Sequence, residues 1–250
     1  MSAWFDSVTA RLHNGNRAEV LLFCFAHAGG GAAFYRPWPA VLGPDIEVCP
    51  VVLPGREARR RELPYTRMAQ LVEPLFDALL SRADRPFVLF GHSMGAAVAY
   101  EMARRFSVVP AGGPCCLVVS GRQPPHRPAR HPPIHRLPQD EFVARVSALD
   151  GTPAEVLRDK ELLAAFLPSL RADFELNETY VPAPHPRLAI PVWAFVGDED
   201  PLVEPPDMLA WGEVTTGPFD TRVFSGGHFY AQGARPEVLV AVREAVAAAR

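Results

Sequence analysis

Short, continuously apolar runs alternate along this chain with longer stretches whose apolar residues recur every three or four positions. The apolar runs cover residues 18–25, 46–53, 86–90, 115–120 and 191–196, and a last strand is expected over 219–224. Runs rich in Val, Leu and Phe, with no polar face, predict strands buried on both sides and so a mostly parallel sheet. The periodic stretches predict helices over 33–42, 66–83, 94–106, 205–211 and 236–249. Regular alternation of strand and helix implies right-handed crossovers and an open α/β sheet. In such sheets ligands gather at the carboxyl ends of the strands.

Residues 122–187 break the pattern. They hold 11 prolines, no convincing strand, and read as a proline-rich loop followed by helices. The first helix is expected over about 139–149. A second opens at Thr152-Pro153, a capping residue followed by proline at the first helical position. Asp159 then caps a run in which Leu162, Leu163, Phe166, Leu167, Leu170 and Phe174 recur at helical spacing, and Pro168 is expected to kink or interrupt it. Lying between two strands, this segment reads as a helical lid inserted in a single domain, 1–250, and as the most mobile large part of the fold. A separate helical domain is the alternative.

The chemistry is concentrated at strand ends. Gly91-His92-Ser93-Met94-Gly95 follows an apolar strand and opens a small-residue helix, the context in which G-x-S-x-G makes a nucleophile elbow with Ser93 at its tip. Gly197-Asp198-Glu199-Asp200-Pro201 follows another strand. Of its three carboxylates, Asp200 is the preferred orienting acid, because the turn closes before it and aims it back across the site. Ser225-Gly226-Gly227-His228-Phe229 then supplies His228 as general base, in the order Ser, acid, His. After the first strand, His27-Ala28-Gly29-Gly30-Gly31 occupies the place of an oxyanion loop. The expected donors are the backbone amides of Ala28 and Met94. Neither nucleotide-binding glycine pattern is present, and His27 reads as structural. His92, beside the nucleophile, reads as packing within the elbow. Arg56 and Glu57 read as shaping the pocket mouth or as a local ion pair.

Composition narrows the class. A formal net charge of −3 gives no reason to expect nucleic acid or an anionic membrane as partner. No apolar run approaches the length of a membrane span, and no secretory signal is visible at the N-terminus, so a cytoplasmic protein is expected. Cys24, Cys49, Cys115 and Cys116 lie in strand-like runs and read as buried free thiols. His13, His92, His126, His131, His135 and His185 show no metal-ligand spacing. No metal and no cofactor are expected. The three histidines of the proline-rich loop read as solvated, and the arginines Arg122, Arg127 and Arg130 as an exposed candidate docking face.

With these residues assembled, the chain resembles the type II thioesterases of polyketide and nonribosomal peptide synthesis, which have the α/β-hydrolase fold. The resemblance spans nearly the whole length. It runs from His27-Ala28-Gly29-Gly30 with Phe34, Tyr35 and Trp38, through Leu53-Pro54-Gly55-Arg56-Glu57 and the serine, acid and histidine motifs. The lid adds Gly151-Thr152-Pro153 with Glu155, Pro168, and Leu170-Arg171-Ala172-Asp173-Phe174 with Glu178 and Tyr180. The resemblance implies Ser93, Asp200 and His228 as triad, and Ala28 and Met94 as oxyanion donors. It implies as partner an acyl or peptidyl carrier protein bearing acyl-phosphopantetheine, whose aberrant acyl groups the enzyme hydrolyses. A monomer is expected. The competing readings are an esterase or lipase acting on free small esters, a carrier-protein acyltransferase and a non-catalytic carrier-binding module. The long loop 122–136 departs from the family pattern. Short neutral acyl groups are the expected substrates, since no fixed cation is evident near Ser93.

Overall fold

The computed structural model describes residues 3–6, 18–110, 112–149, 151 and 158–248. Six parallel strands, β1 (Val20–Phe25), β2 (Ile46–Pro50), β3 (Phe87–His92), β4 (Cys116–Ser120), β5 (Val192–Gly197) and β6 (Phe219–Phe224), form one sheet in the order β2-β1-β3-β4-β5-β6. Side chains explain why the inner runs lack a polar face, while the edge strand β6 carries Asp220, Thr221 and Arg222. Along β1, Leu21, Phe23 and Phe25 enter one apolar layer while Val20, Leu22 and Cys24 enter the other. A strand covered on both sides has no position at which a polar residue costs nothing.

Helices supply the two covers. On one face lie α2 (Met68–Arg82), through Leu71, Leu75 and Leu79, and α3 (Met94–Ser107), through Val98, Met102 and Phe106. On the other lie α1 (Pro39–Leu42), through Leu42, and α7 (Pro236–Ala248), through Val238, Val242 and Val246. The order of strands reverses between β1 and β3, so the crevice at a topological switch point opens beside the end of β3.

Three expected elements differ in detail. The stretch 33–42 divides into a 3-10 turn, Ala32–Phe34, and the short α1. Pro37 and Pro39 cannot donate backbone hydrogen bonds, which breaks a continuous helical ladder there. The stretch 205–211 becomes α6 (Pro205–Met208) followed by a 3-10 segment, Leu209–Val214. The second strand is shorter than expected, and beyond it Phe5 bridges Val51 from an antiparallel N-terminal segment.

Within 122–187, the structure forms α4 (Gln139–Ser147) and α5 (Lys160–Glu178). The helix expected at Thr152-Pro153, together with Glu155, lies outside the described residues. Asp159 caps α5, accepting hydrogen bonds from the amides of Glu161 (2.9 Å) and Leu162 (3.1 Å). Pro168 does not interrupt α5. Buried Leu167 and Leu170 anchor the chain on both sides of it, which offsets the one lost backbone bond. This segment has its own apolar cluster, built on Phe142, Val146, Leu167 and Leu170. Leu176, two turns further along α5, belongs to the main core instead. No helix among the described residues is long and apolar enough to cross a membrane.

Candidate active site

Because all six strands are parallel, their carboxyl ends share one edge, and the residues singled out by motif meet there. Ser93 joins β3 to α3 with φ 55° and ψ −118°, a left-handed conformation that costs a non-glycine residue about 1–3 kcal/mol. Close packing enforces the turn. A Cβ at Gly91 would lie 2.0 Å from the Gly95 carbonyl oxygen, and one at Gly95 would lie 2.0 Å from that of Phe25. Both glycines of the motif are thus required by backbone contact. The Ser93 amide donates to the Ser120 carbonyl at the end of β4 (2.8 Å), which ties the elbow to the next strand.

Asp200 stands three residues beyond β5, its amide closing the turn on the Gly197 carbonyl (3.4 Å). Its Oδ2 lies 2.8 Å from His228 Nδ1, and its Oδ1 accepts the Leu202 amide at 2.9 Å. The His228 and Asp200 side chains are 3% and 0% exposed, so the pair is sealed from water. Asp198 instead accepts the Gly226 amide (2.8 Å) and holds the two loops together. No hydrogen bond joins Ser93 Oγ to His228 among the described residues. Such contacts are often long in ligand-free hydrolases and tighten with substrate.

In the loop after β1, the Gly29 amide donates to Asp173 (2.7 Å) and the Gly30 amide to the His27 carbonyl (2.9 Å). The Ala32 and Ala33 amides donate to Glu57, each at 3.3 Å. Among the described residues, the Ala28 and Met94 amides have no hydrogen-bond partner. Arg56 and Glu57 therefore do not pair with each other. Each grips this loop, Arg56 through the Gly30 carbonyl (2.8 Å) and through Asp173.

Around these groups lies a cluster of rings. His27 packs edge-on against Phe34 and Phe229, with centroids 5.2 and 4.8 Å apart, and His92 lies 5.1 Å from His228. Burial, with smaller contributions from His228 and Arg56, lowers His27 to about 3. Burial, then His228 and His27, takes His92 well below the usual imidazole range. Both are held neutral at pH 7. His92 Nδ1 lies 2.8 Å from Ser120 Oγ, which also bonds the Tyr230 hydroxyl. Ser120 and Tyr230 escaped the sequence reading. Their signal was positional: a polar residue closing an apolar strand, and a tyrosine two residues past the expected base.

Several outlying expectations change. His135 is buried, its Nδ1 2.6 Å from Glu178, whereas His131 is exposed and His126 pairs with Glu213 at 3.0 Å. Arg122 is not an exposed docking residue: it bonds Asn177 on α5, and burial lowers it to about 10. Arg127 pairs with Glu213, and Arg130 with Glu204 and Asp207, so that face carries little free positive charge. Cys115 is half-buried; Cys24, Cys49 and Cys116 are buried and free. Leu162 is 51% exposed and faces away from the lid cluster.

Comparison with known proteins agrees with this geometry. The thioesterase domain model matches residues 21–246. A probable cadicidin biosynthesis thioesterase of Streptomyces griseus is 42% identical over 220 residues, 88% of this chain; the chain spans 60% of that protein's length. Thioesterase PikA5 of Streptomyces venezuelae is 38% identical over 226 residues, 88% of this chain and 78% of its own length. The solved structure of the type II thioesterase BorB, from the borrelidin biosynthetic cluster, superposes with a TM-score of 0.87 at 39% identity. The match covers 98% of each chain. A six-stranded parallel sheet with a serine elbow, an acid and a histidine at one edge, matched in sequence and backbone along nearly its whole length, makes this chain a member of the thioesterase family, with the α/β-hydrolase fold.

Proposed function

We propose that the chain is a serine hydrolase that cleaves acyl thioesters from the phosphopantetheine arm of acyl or peptidyl carrier proteins, clearing aberrant acyl groups from polyketide or nonribosomal peptide synthases. The observation that carries this reading is the buried Asp200–His228 hydrogen bond, at the sheet edge where Ser93 keeps its left-handed conformation. Ser93 Oγ attacks the thioester carbonyl carbon while His228 Nε2 takes its proton. The Ala28 and Met94 amides donate to the oxygen on which negative charge develops, and the N-terminus of α3 favours that charge. The intermediate collapses by breaking its C–S bond. His228 returns the proton to the departing pantetheine sulfur, and the acyl group remains on Ser93. Water then attacks the acyl-enzyme and gives a proton to His228, which passes it to Ser93 Oγ as the carboxylic acid leaves. Asp200 accepts the Nδ1–H throughout, fixing the tautomer and stabilising the imidazolium.

In this reading 122–187 is a lid within one domain, and the chain works as a cytoplasmic monomer. One panel tests the substrate: an acyl-pantetheine thioester, the matching oxygen ester and the same acyl group on a carrier protein. The carrier-bound thioester should give the highest kcat/KM and the oxygen ester the lowest. Preference for the oxygen ester would make the chain an esterase of free small molecules. Binding of the carrier without hydrolysis would make it a docking module.

A further inference from the structure

The lid helix reaches into the oxyanion loop through a single carboxylate. Asp173, on α5, has a side chain 2% exposed, and it accepts the Gly29 amide through Oδ2 at 2.7 Å. Arg56 closes on the same carboxylate from the loop after β2, Nη1 to Oδ2 at 2.8 Å and Nη2 to Oδ1 at 2.6 Å. The same Nη1 also donates to the Gly30 carbonyl at 2.8 Å. Its neighbour Glu57 adopts a left-handed φ of 46° and accepts the amides of Ala32 and Ala33. Apolar contact reinforces the junction. A Cβ on Gly29 would lie 2.7 Å from the side-chain ends of both Phe166 and Leu170 on α5, and the φ of +75° there favours glycine.

These contacts hold four amides of the loop in place. The amides of Gly29, Gly30, Ala32 and Ala33 are all engaged, and Gly31 lies over the Glu57 carboxylate. The Ala28 amide, which has no hydrogen-bond partner among the described residues, is the oxyanion donor of the mechanism proposed above. The cost of the device is a buried negative charge one peptide unit from the place where an oxyanion forms. Arg56 neutralises it with two parallel hydrogen bonds, the geometry in which a guanidinium binds a carboxylate best.

From these contacts we infer that Asp173 and Arg56 are positioning residues: they fix the oxyanion loop to the lid helix, so that the Ala28 donor is aligned only when α5 is seated. The inference rests on the serine-hydrolase reading above. It makes α5 part of the catalytic scaffold, and makes charge balance at the pair a determinant of turnover.

The test compares wild type with Arg56→Met, Asp173→Asn, the double variant Arg56→Met/Asp173→Asn, and Arg56→Lys. Each is assayed for kcat and KM on a short acyl-pantetheine thioester. Each is also assayed for affinity toward a trifluoromethyl ketone analogue, whose adduct with Ser93 places an oxyanion in the same site. Removing an oxyanion donor outright costs roughly 10²–10³-fold in kcat, so misaligning one should cost about 10–100-fold. Arg56→Met should lose kcat and ketone affinity in parallel, with KM within about threefold of wild type. The double variant should recover part of both, because the uncompensated carboxylate is gone. Thermal unfolding checks that each variant is folded. Should Arg56→Met not fold, Arg56→Lys and Asp173→Asn decide. Loss of kcat and ketone affinity in both supports the inference, and full kcat in both overturns it. A rise in KM alone, or a double variant no better than Arg56→Met, also overturns it. Failure of the underlying reading looks different: Ser93→Ala would retain hydrolysis and wild type would form no ketone adduct.

Discussion

At the level of single residues, the site rests on a few buried side chains and the hydrogen bonds that hold them. Ser93→Ala should lower hydrolysis about 10⁴-fold or more, since only oxyanion stabilisation and binding remain. His228→Ala should cost a similar factor, and the double variant little more than either, as expected of groups that act as a unit. Asp200→Asn should cost far more than Asp198→Asn, because Asp198 touches a backbone amide and not the imidazole. Steady-state rates on one acyl-pantetheine thioester check the ranking, and retention of more than about a tenth of activity by Ser93→Ala would sink the nucleophile assignment. His27 makes a separate prediction about stability. Folding lowers it from 6.5 to about 3, so between those values the unfolded chain holds a proton that the native chain does not. Stability must then fall as pH drops from 6.5 toward 3, and this contribution levels off below. Urea midpoints at about pH 7 and about pH 4.5 should therefore drop less in His27→Gln than in wild type. Equal drops would mean that the native fold accepts the imidazolium.

Among the elements, the lid proves to be two things. The helix α4 packs through Phe142 and Val146 into the lid cluster alone. The second half of α5 shares Leu176 with the main core and Asp173 with Arg56. Burial therefore predicts unequal mobility within 122–187, since opening free energy follows local burial and contact. Hydrogen exchange should be fast in α4 and slow in α5 from Ala172 to Glu178, approaching the rates of β3 and β5. Equal protection of α4 and the end of α5 would contradict this division. The same division explains why Pro168 sits harmlessly inside α5: both flanks are anchored by buried leucines. Along the loop before α4, Glu178 accepts the amides of Ile134 and His135 as well as the His135 ring. The proline-rich segment is stapled to α5 there.

For the whole molecule, the question is which acyl groups the site admits. Arg56, which donates to the Gly30 carbonyl in the loop after β1, is consumed by Asp173. A carboxylate on the substrate would have to be buried without a partner there, at a cost of several kcal/mol. Each methylene buried contributes about 0.8 kcal/mol in the other direction. Acetyl, propionyl and butyryl groups should therefore be hydrolysed faster than malonyl or methylmalonyl. That selectivity suits an editing enzyme, because extender units survive. Loading one carrier protein with propionyl and with methylmalonyl groups and comparing kcat/KM tests it. Equal rates would direct attention to Arg122, the half-buried guanidinium that Asn177 holds next to the end of β4.

The pattern of residues by itself determined the strands, their parallel arrangement and the strand ends that bear the serine, acid and histidine motifs. Burial on both faces leaves an unbroken apolar run, and a strained turn demands Gly91 and Gly95 around Ser93; such signals are local and survive in one dimension. Helix boundaries were less legible at 33–42 and 205–211, where prolines and 3-10 turns compete within a few residues. What only tertiary structure decided is which distant groups share a charge or a proton. Asp173 and Arg56 stand 117 positions apart, Ser120 and Tyr230 110, and Arg127 and Glu213 86. None of these pairs has a periodic or motif signature, because a hydrogen bond depends on a few ångströms of separation and on direction, whatever the distance along the chain. The buried side of His135 and Arg122 was hidden for the same reason. A polar side chain reads as solvated until the fold brings it a partner, and Glu178 and Asn177 are supplied only when α5 is laid across the sheet edge.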